Sequence, residues 1–434
     1  MGGAHEASSR LADGHSRPRS DSDTGGLDFL RTGPRGRRAA EERPNVLIIM
    51  TDDQRADQDS LSVMDDTRRI FGDGSYFPNA VATTPLCCPS RASVFTGKYV
   101  HNHKVTTQNN AANMPQQWTM QYQLKGLGYT TALVGKYLNN WSEPKPYFDY
   151  VKGGIFTSYY NGSGQYTTHV IRNNALSLLN TFESNDAKPW LMYVYPFAPH
   201  EPAVPEKAYE SAPVPAWQET PARAETDLTD KPTFVQRQAA ATSKSGVQTL
   251  RTKMLRTLYS VDDMNQAIFD RLGQLGEDNT LAVFLSDNGY HWYEHKLTKK
   301  QLPYDDSVQV PFFARWPGRI PAATDSRIVA NIDIAPTVYD ALDYTPSYTP
   351  DGKSLFSSNR DHILTEFRAS NPWFALWHPD WTYVEYDVGF KEFYGPDDPW
   401  QLDNDFRVGF PPPNASLLSD QLAVDKVCSG ASCP

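Results

Sequence analysis

Four short apolar runs constrain this chain more than any other feature. They are Val46-Leu47-Ile48-Ile49-Met50, the stretch 129–134 with Ala132-Leu133-Val134, Trp190-Leu191-Met192-Tyr193-Val194-Tyr195, and Thr280-Leu281-Ala282-Val283-Phe284-Leu285. Each is continuous rather than alternating, which marks a strand covered on both faces, as in the interior of a parallel sheet. Between them, residues 168–183 and 250–275 carry apolar side chains at helical spacing, the second through Leu255, Leu258, Val261, Met264, Ile268 and Leu272. Strands alternating with helices predict an α/β sandwich built on a large mixed, mostly parallel sheet flanked by helices.

Each run ends in reactive residues. The first stops at Thr51-Asp52-Asp53-Gln54, the second at Gly135-Lys136, the third at Pro199-His200-Glu201-Pro202 and the fourth at Ser286-Asp287-Asn288-Gly289. Open α/β sheets bind ligands just beyond the carboxyl ends of their strands. Adjacent carboxylates repel one another unless a cation lies between them, and hard oxygen donors suit Ca²⁺ or Mg²⁺. Taken alone, Asp52 and Asp53 read equally well as an acidic helix cap. Lys136 can enter the same cleft or snorkel to the surface. Prolines on both sides of His200 hold its backbone out of a helix, which suits a general acid or an anion ligand.

The stretch Thr84-Pro85-Leu86-Cys87-Cys88-Pro89-Ser90-Arg91 reads as a loop turning into a helix at Pro89, with Cys87 just before the N-terminus and Arg91 one turn on. Orphan N–H groups and the helix dipole there favour an anion beside Cys87. A lone buried thiol capping a helix is the plainer reading. The spacing goes further. Cys87-x-Pro89-Ser90-Arg91, then four residues and Thr96-Gly97, resembles the signature of the type I sulfatases of the alkaline phosphatase superfamily.

That resemblance implies a set of roles. Cys87 would be oxidised to formylglycine (3-oxoalanine) by a formylglycine-generating enzyme, and its hydrated aldehyde would be the nucleophile. Asp52, Asp53, Asp287, Asn288 and the modified Cys87 would ligate Ca²⁺, with Mg²⁺ as the alternative. Arg91, Lys136 and Lys300 would hold charge on the sulfate. Lys300 is chosen over Lys299 because the family pattern places its lysine four residues before a tyrosine, here Tyr304. His200 would protonate the leaving alcohol or bind sulfate. His101 and His103 would be loop residues near the pocket mouth with a part in substrate binding. Residues 203–247 would form a lid or rim. Trp292-Tyr293, where the family carries small residues, would narrow the pocket. The doubled cysteine, Gly135-Lys136-Tyr137-Leu138-Asn139 and Tyr99-Val100-His101-Asn102-His103 resemble the N-acetylglucosamine-6-sulfatase branch, and Leu138 stands where many members have histidine.

The expected division is a disordered tail over 1–43, a catalytic domain over 44–358, and a small antiparallel sheet with a helix over 359–434. Residues 1–43 show no apolar core of a secretory signal, so a cytoplasmic location stays open. Cys428 and Cys433 can close a short terminal loop; a disulfide there is expected, two free thiols being the alternative, and it favours a secreted or periplasmic chain. The net charge of -10 argues against nucleic-acid binding, and no apolar run approaches the ~20 residues of a membrane span. The expected activity is hydrolysis of sulfate esters, on sulfated glycans such as glucosamine 6-sulfate or on small aryl sulfates. Two alternatives stand beside it: a phosphatase or phosphonate monoester hydrolase on the same scaffold, and a glycan-binding protein in which Cys87 stays a thiol.

Overall fold

A computed structural model describes residues 43–139, 147–152, 156–184, 188–407 and 411–434. The tail expected over 1–43 lies outside the described residues except for Arg43. Arg43–Pro434 form one compact unit.

Its centre is an eight-stranded sheet in the order Ala323–Thr324, Ser75–Tyr76, Phe312–Arg315, Thr280–Ser286, Asn45–Thr51, Trp190–Tyr195, Thr130–Gly135 and Tyr150–Lys152. The four central apolar runs pair in parallel with one another. Phe312–Arg315 runs antiparallel to both neighbours, so the sheet is mixed. The apolar stretch before Trp316 is shorter as a strand than its composition suggests, because Asp305–Val308 first makes one helical turn.

The continuous apolar pattern follows from two covered faces. Val46, Ile48 and Met50 pack on one side with Ala92, Val94 and Phe95 of the helix Cys87–Thr96. Leu47 and Ile49 pack on the other with Leu178 of the helix Thr167–Glu183 and Leu258, Val261 and Met264 of the helix Lys244–Leu275. The latter helix is capped by Ser243, which accepts from the Gly246 N–H, and ends at Gly276 in the left-handed region (φ 79°).

Register does the rest. Thr51 lies opposite Ser286 and Gly135 opposite Tyr195. The residues that follow are therefore delivered side by side: Asp287 N–H donates to Thr51 O (3.1 Å), Asp52 N–H to Ala198 O (3.2 Å) and Lys136 N–H to Tyr195 O (2.8 Å).

A four-stranded antiparallel sheet, Ile363–Phe367, Trp373–His378, Trp381–Tyr386 and Lys391–Tyr394, follows in the C-terminal part with the helix Ala415–Asp425 and a Cys428–Cys433 disulfide. Its core is shared with Leu86 and Tyr99 next to the Cys87 helix. The insertion contributes the helices Pro221–Ala224 and Thr233–Ala240. It is tied down by buried Lys231, which donates to the carbonyls of Gln401 (2.9 Å) and Leu402 (2.8 Å).

Glu392, on the last strand, is fully buried and accepts from the hydroxyls of Tyr304 (3.2 Å) and Tyr386 (2.9 Å). Burial pushes its carboxyl up to about 7 from an ordinary 4.5, against the opposing pull of Lys231. Between those pH values the folded chain retains a proton that the unfolded chain has released. This group therefore lowers stability as pH rises through that window, by on the order of 3 kcal/mol in full. Glu392→Gln removes the titration. Its melting temperature is expected to gain on that of the unaltered protein between pH 5 and pH 8; a gap that does not change with pH would contradict this.

Candidate active site

The Cys87 helix begins two residues earlier than the proline suggests. Leu86 is the extended cap (φ -150°, ψ 128°), Cys87 is the first helical residue and Pro89 the third. N–H groups in the first turn have no acceptor within the helix, so the N–H that proline lacks costs nothing there. Cys87, Cys88, Ser90 and Arg91 are all wholly buried. The helix is moored by Ser90, whose hydroxyl donates to the Asp287 carbonyl, and by Asn331 Nδ2, which donates to Ser90 Oγ (2.9 Å).

Around Cys87 Sγ the strand ends converge. Asp52 Oδ1 lies 3.4 Å away, and Lys300 Nζ lies 2.9 Å away. Lys136 Nζ is bonded to Asp52 and Lys300 Nζ to Asp53. Arg91 Nε donates to Asp287 Oδ2 (2.8 Å) and its Nη1 to the Lys136 carbonyl (3.1 Å). Asn288 Nδ2 donates to Asp53 Oδ1 (2.8 Å). His200 approaches from the third strand with Nε2 3.7 Å from Asp53 Oδ2. Its Nδ1 bonds the Glu201 carbonyl, which can only accept, so Nδ1 carries the hydrogen and Nε2 faces the site. Lys299, by contrast, is exposed and lies 3.7 Å from Glu201 at the rim.

Electrostatics separate these groups. Burial pushes the Cys87 thiol up to about 12, although Lys136 and Lys300 pull the other way; at neutral pH it is a thiol. Burial and the neighbouring Asp52 raise Asp287 to about 6, against Arg91 and the two lysines. Burial would also raise Asp52, but Lys136, His200, Arg91 and Lys300 together hold it well below the carboxylate range. Burial works against charge on both lysines, and the facing carboxylates outweigh it, so both stay protonated.

The donors fit a hard divalent cation. Asp52, Asp53, Cys87 and His200 each present a ligand atom within 4.8 Å of the others. Asp287 and Asn288 stand beside them, and the wholly buried Asn288 Oδ1 has no hydrogen-bond partner among the described residues. An oxygen left in that state is costly unless it meets a cation or a donor. Arg91 Nη2 is likewise without a hydrogen bond among the described residues, 3.8 Å from Asp52 Oδ1, and can donate to an anion.

Three expectations are corrected. His101 and His103 are not in a loop at the mouth. They lie in the buried turn Val100–His103, and all four ring nitrogens are engaged. His101 bonds Glu366 (Nδ1, 3.0 Å) and the Cys428 carbonyl (Nε2, 2.9 Å). His103 bonds Ser93 Oγ (3.0 Å) and accepts from the Val105 N–H (3.1 Å). Gly97, left-handed at φ 64°, turns the chain back, and the His103 ring braces the Cys87 helix through Ser93. Trp292 does not narrow a pocket either: it is 1% exposed, with its indole N–H on Met254 Sδ (3.3 Å) and Arg55 over its ring (4.8 Å).

Sequence reasoning passed over Arg55 altogether. It lies two residues beyond Asp53 and donates to Glu294 (2.8 Å) and Asp306 (2.5 Å). Its place straight after Asp-Asp-Gln was the available signal.

Comparison with known proteins shows the family of this chain. The family model described as Sulfatase matches residues 44–344. An extracellular sulfatase SULF-1 homolog of Drosophila melanogaster is 36% identical over 359 residues, covering 74% of this chain and 32% of that protein. Human N-acetylglucosamine-6-sulfatase is 31% identical over 379 residues, covering 76% of this chain and 68% of its own length. The chain thus spans about a third of the first relative and two thirds of the second. A solved structure of a protein in complex with its substrate D-glucosamine-2-N,6-O-disulfate superposes with a TM-score of 0.73 at 23% identity, over 88% of this chain and 97% of that one, and so shares the fold. With a family match over most of its length and the site residues brought together at the strand ends, the chain belongs to the sulfatase family.

Proposed function

We propose that this chain hydrolyses sulfate esters of sugars, with glucosamine 6-sulfate as the favoured class. The observation that supports it most is the meeting of Lys136, Lys300 and Arg91 with the carboxylates around Cys87. A sulfate ester spreads negative charge over its oxygens, and fixed cations in a water-poor site stabilise the charge that builds there. A formylglycine at position 87 would supply a hydrated aldehyde oxygen as nucleophile, and a divalent ion, Ca²⁺ in this proposal, would supply Lewis-acid polarisation of the sulfate. Asp52, Asp53, Asp287 and Asn288 would hold that ion. Lys136 and Lys300 would grip the sulfate oxygens, and His200 in its doubly protonated form would hand the Nε2 proton to the departing alcohol. The sugar class rests on the likeness to the human glucosamine sulfatase. A formylglycine-generating enzyme is the implied partner. The Cys428–Cys433 disulfide supports a location outside the cytoplasm, and no helix among the described residues is long and apolar enough to cross a membrane.

Two measurements on one preparation test this. The peptide carrying Cys87 is expected to show the mass loss of thiol-to-aldehyde conversion, and an aryl sulfate is expected to turn over faster than the matching aryl phosphate. An unmodified thiol in every active preparation, or a preference for the phosphate, would sink the proposal. Release of sulfate from defined glucosamine sulfates then tests the sugar class.

A further inference from the structure

The loop that carries Lys300 is held in an unusual backbone shape. Tyr293 (φ 77°), His295 (φ 53°), Lys296 (φ 55°), Lys299 (φ 76°) and Gln301 (φ 83°) all lie in the left-handed region without being glycine. Side chains disfavour that region, so such a loop keeps its shape only where its surroundings over-determine it.

Those surroundings are concentrated on Glu294. It is 3% exposed. Its Oε1 accepts from Arg223 Nε (2.8 Å) on the helix of the insertion. Its Oε2 accepts from Arg55 Nη1 (2.8 Å) and from the Trp292 N–H (2.6 Å). Arg55 goes on to Asp306 and to the Tyr290 carbonyl (3.2 Å). The arginines hold Glu294 well on the ionised side, to about 2, although burial opposes this. At the far end of the loop, Trp373 Nε1 donates to the Gln301 carbonyl (2.9 Å). Lys300 stands between these anchors with Nζ on Asp53 and on Cys87 Sγ (2.9 Å).

We infer that Glu294 is a positioning residue for Lys300: by joining Arg55, on the segment that carries Asp52 and Asp53, to Arg223 and to the strained loop, it sets where the lysine ammonium stands against Cys87. Glu294 does not touch the reacting atoms. Its effect on turnover has to pass through the lysine.

A double-mutant cycle on the full chain with an aryl sulfate tests this, with formylglycine content and melting temperature measured for each variant. Glu294→Gln is expected to lower kcat roughly 10- to 100-fold with KM within about twofold. In a Lys300→Ala background the same change is expected to lower kcat by less than about threefold, because the residue it positions is gone. Glu294→Asp is expected to recover part of the loss. Equal losses in both backgrounds, or no loss in the first, overturn the inference. Arg223→Gln takes the place of Glu294→Gln in the same cycle if the latter does not fold. The inference rests on the sulfate-ester proposal, and the two fail differently: absence of turnover by the unaltered protein defeats that proposal, whereas additive losses defeat only the role of Glu294.

Discussion

Cys87→Ala is expected to lose sulfate-ester turnover by roughly 10⁴-fold or more while keeping its fold. The reason is chemical before it is structural. Among the described residues Cys87 is the thiol or hydroxyl that meets both Asp52 and Lys300, and the cations and proton donor gathered there have nothing to assist once position 87 is a methyl group. The structural cost is small, since alanine suits a helix and the lost contacts are Asp52 Oδ1 at 3.4 Å and Lys300 Nζ at 2.9 Å. The neighbour is the control. Cys88 faces away, accepting from the Asn139 N–H (2.9 Å). Cys88→Ala is expected to keep kcat within about threefold and to cost about 1 kcal/mol of stability. Turnover on an aryl sulfate and a thermal melt of each variant decide the matter; substantial activity in Cys87→Ala would remove the cysteine from the mechanism.

Asp53→Asn is the second large effect, and the backbone makes it a clean probe. Asp53 sits at φ 71°, a conformation that asparagine tolerates as well as aspartate does. The substitution therefore removes charge and leaves shape. That charge is the meeting point of Lys300, Asn288 and His200. Bound divalent ion measured by elemental analysis is expected to fall from near stoichiometric to background, and turnover by roughly 10³-fold. A ligand present at a hundred times its Kd adds about 2.7 kcal/mol to the folded state. A chelator should therefore lower the melting temperature of the unaltered protein and leave Asp53→Asn where it was. Retention of metal and activity by the variant would show that the ion, if needed, is held elsewhere.

The skeleton of this site is legible because parallel strands finish at one edge. Once residues 46–50 and 280–285 read as parallel, doubly covered strands, Asp52 and Asp287 fall at the same edge of the sheet, and the observed pairing places Thr51 opposite Ser286. The choice of Lys300 over Lys299 came from the resemblance to the family pattern, and the loop puts Lys300 inside and Lys299 in solvent. What stayed hidden depends on partners distant in the chain. His101 looks like any loop histidine until Glu366 and the Cys428 carbonyl, from the far end of the chain, close on its two nitrogens. Glu294 looks like a fragment of a motif until Arg55 and Arg223 arrive from two other segments. Periodicity carries no information about such pairings, because it reports which face is apolar and not which polar groups meet across it.

The enclosure of Cys87 has a consequence for the order of events during synthesis. A thiol with no exposed surface cannot be reached by another protein's active site, so any enzymatic change at this sulfur has to come before the chain closes over it. The closing parts are late. Lys300 covers the sulfur, and Asn331, which moors the helix through Ser90, is made 241 residues after that serine. At ordinary rates of elongation that interval is roughly ten to fifty seconds. The length of chain between the cysteine and its lid thus acts as a timer, and a shortened or faster-made version of the protein would leave less time for maturation without altering a single contact in the finished site.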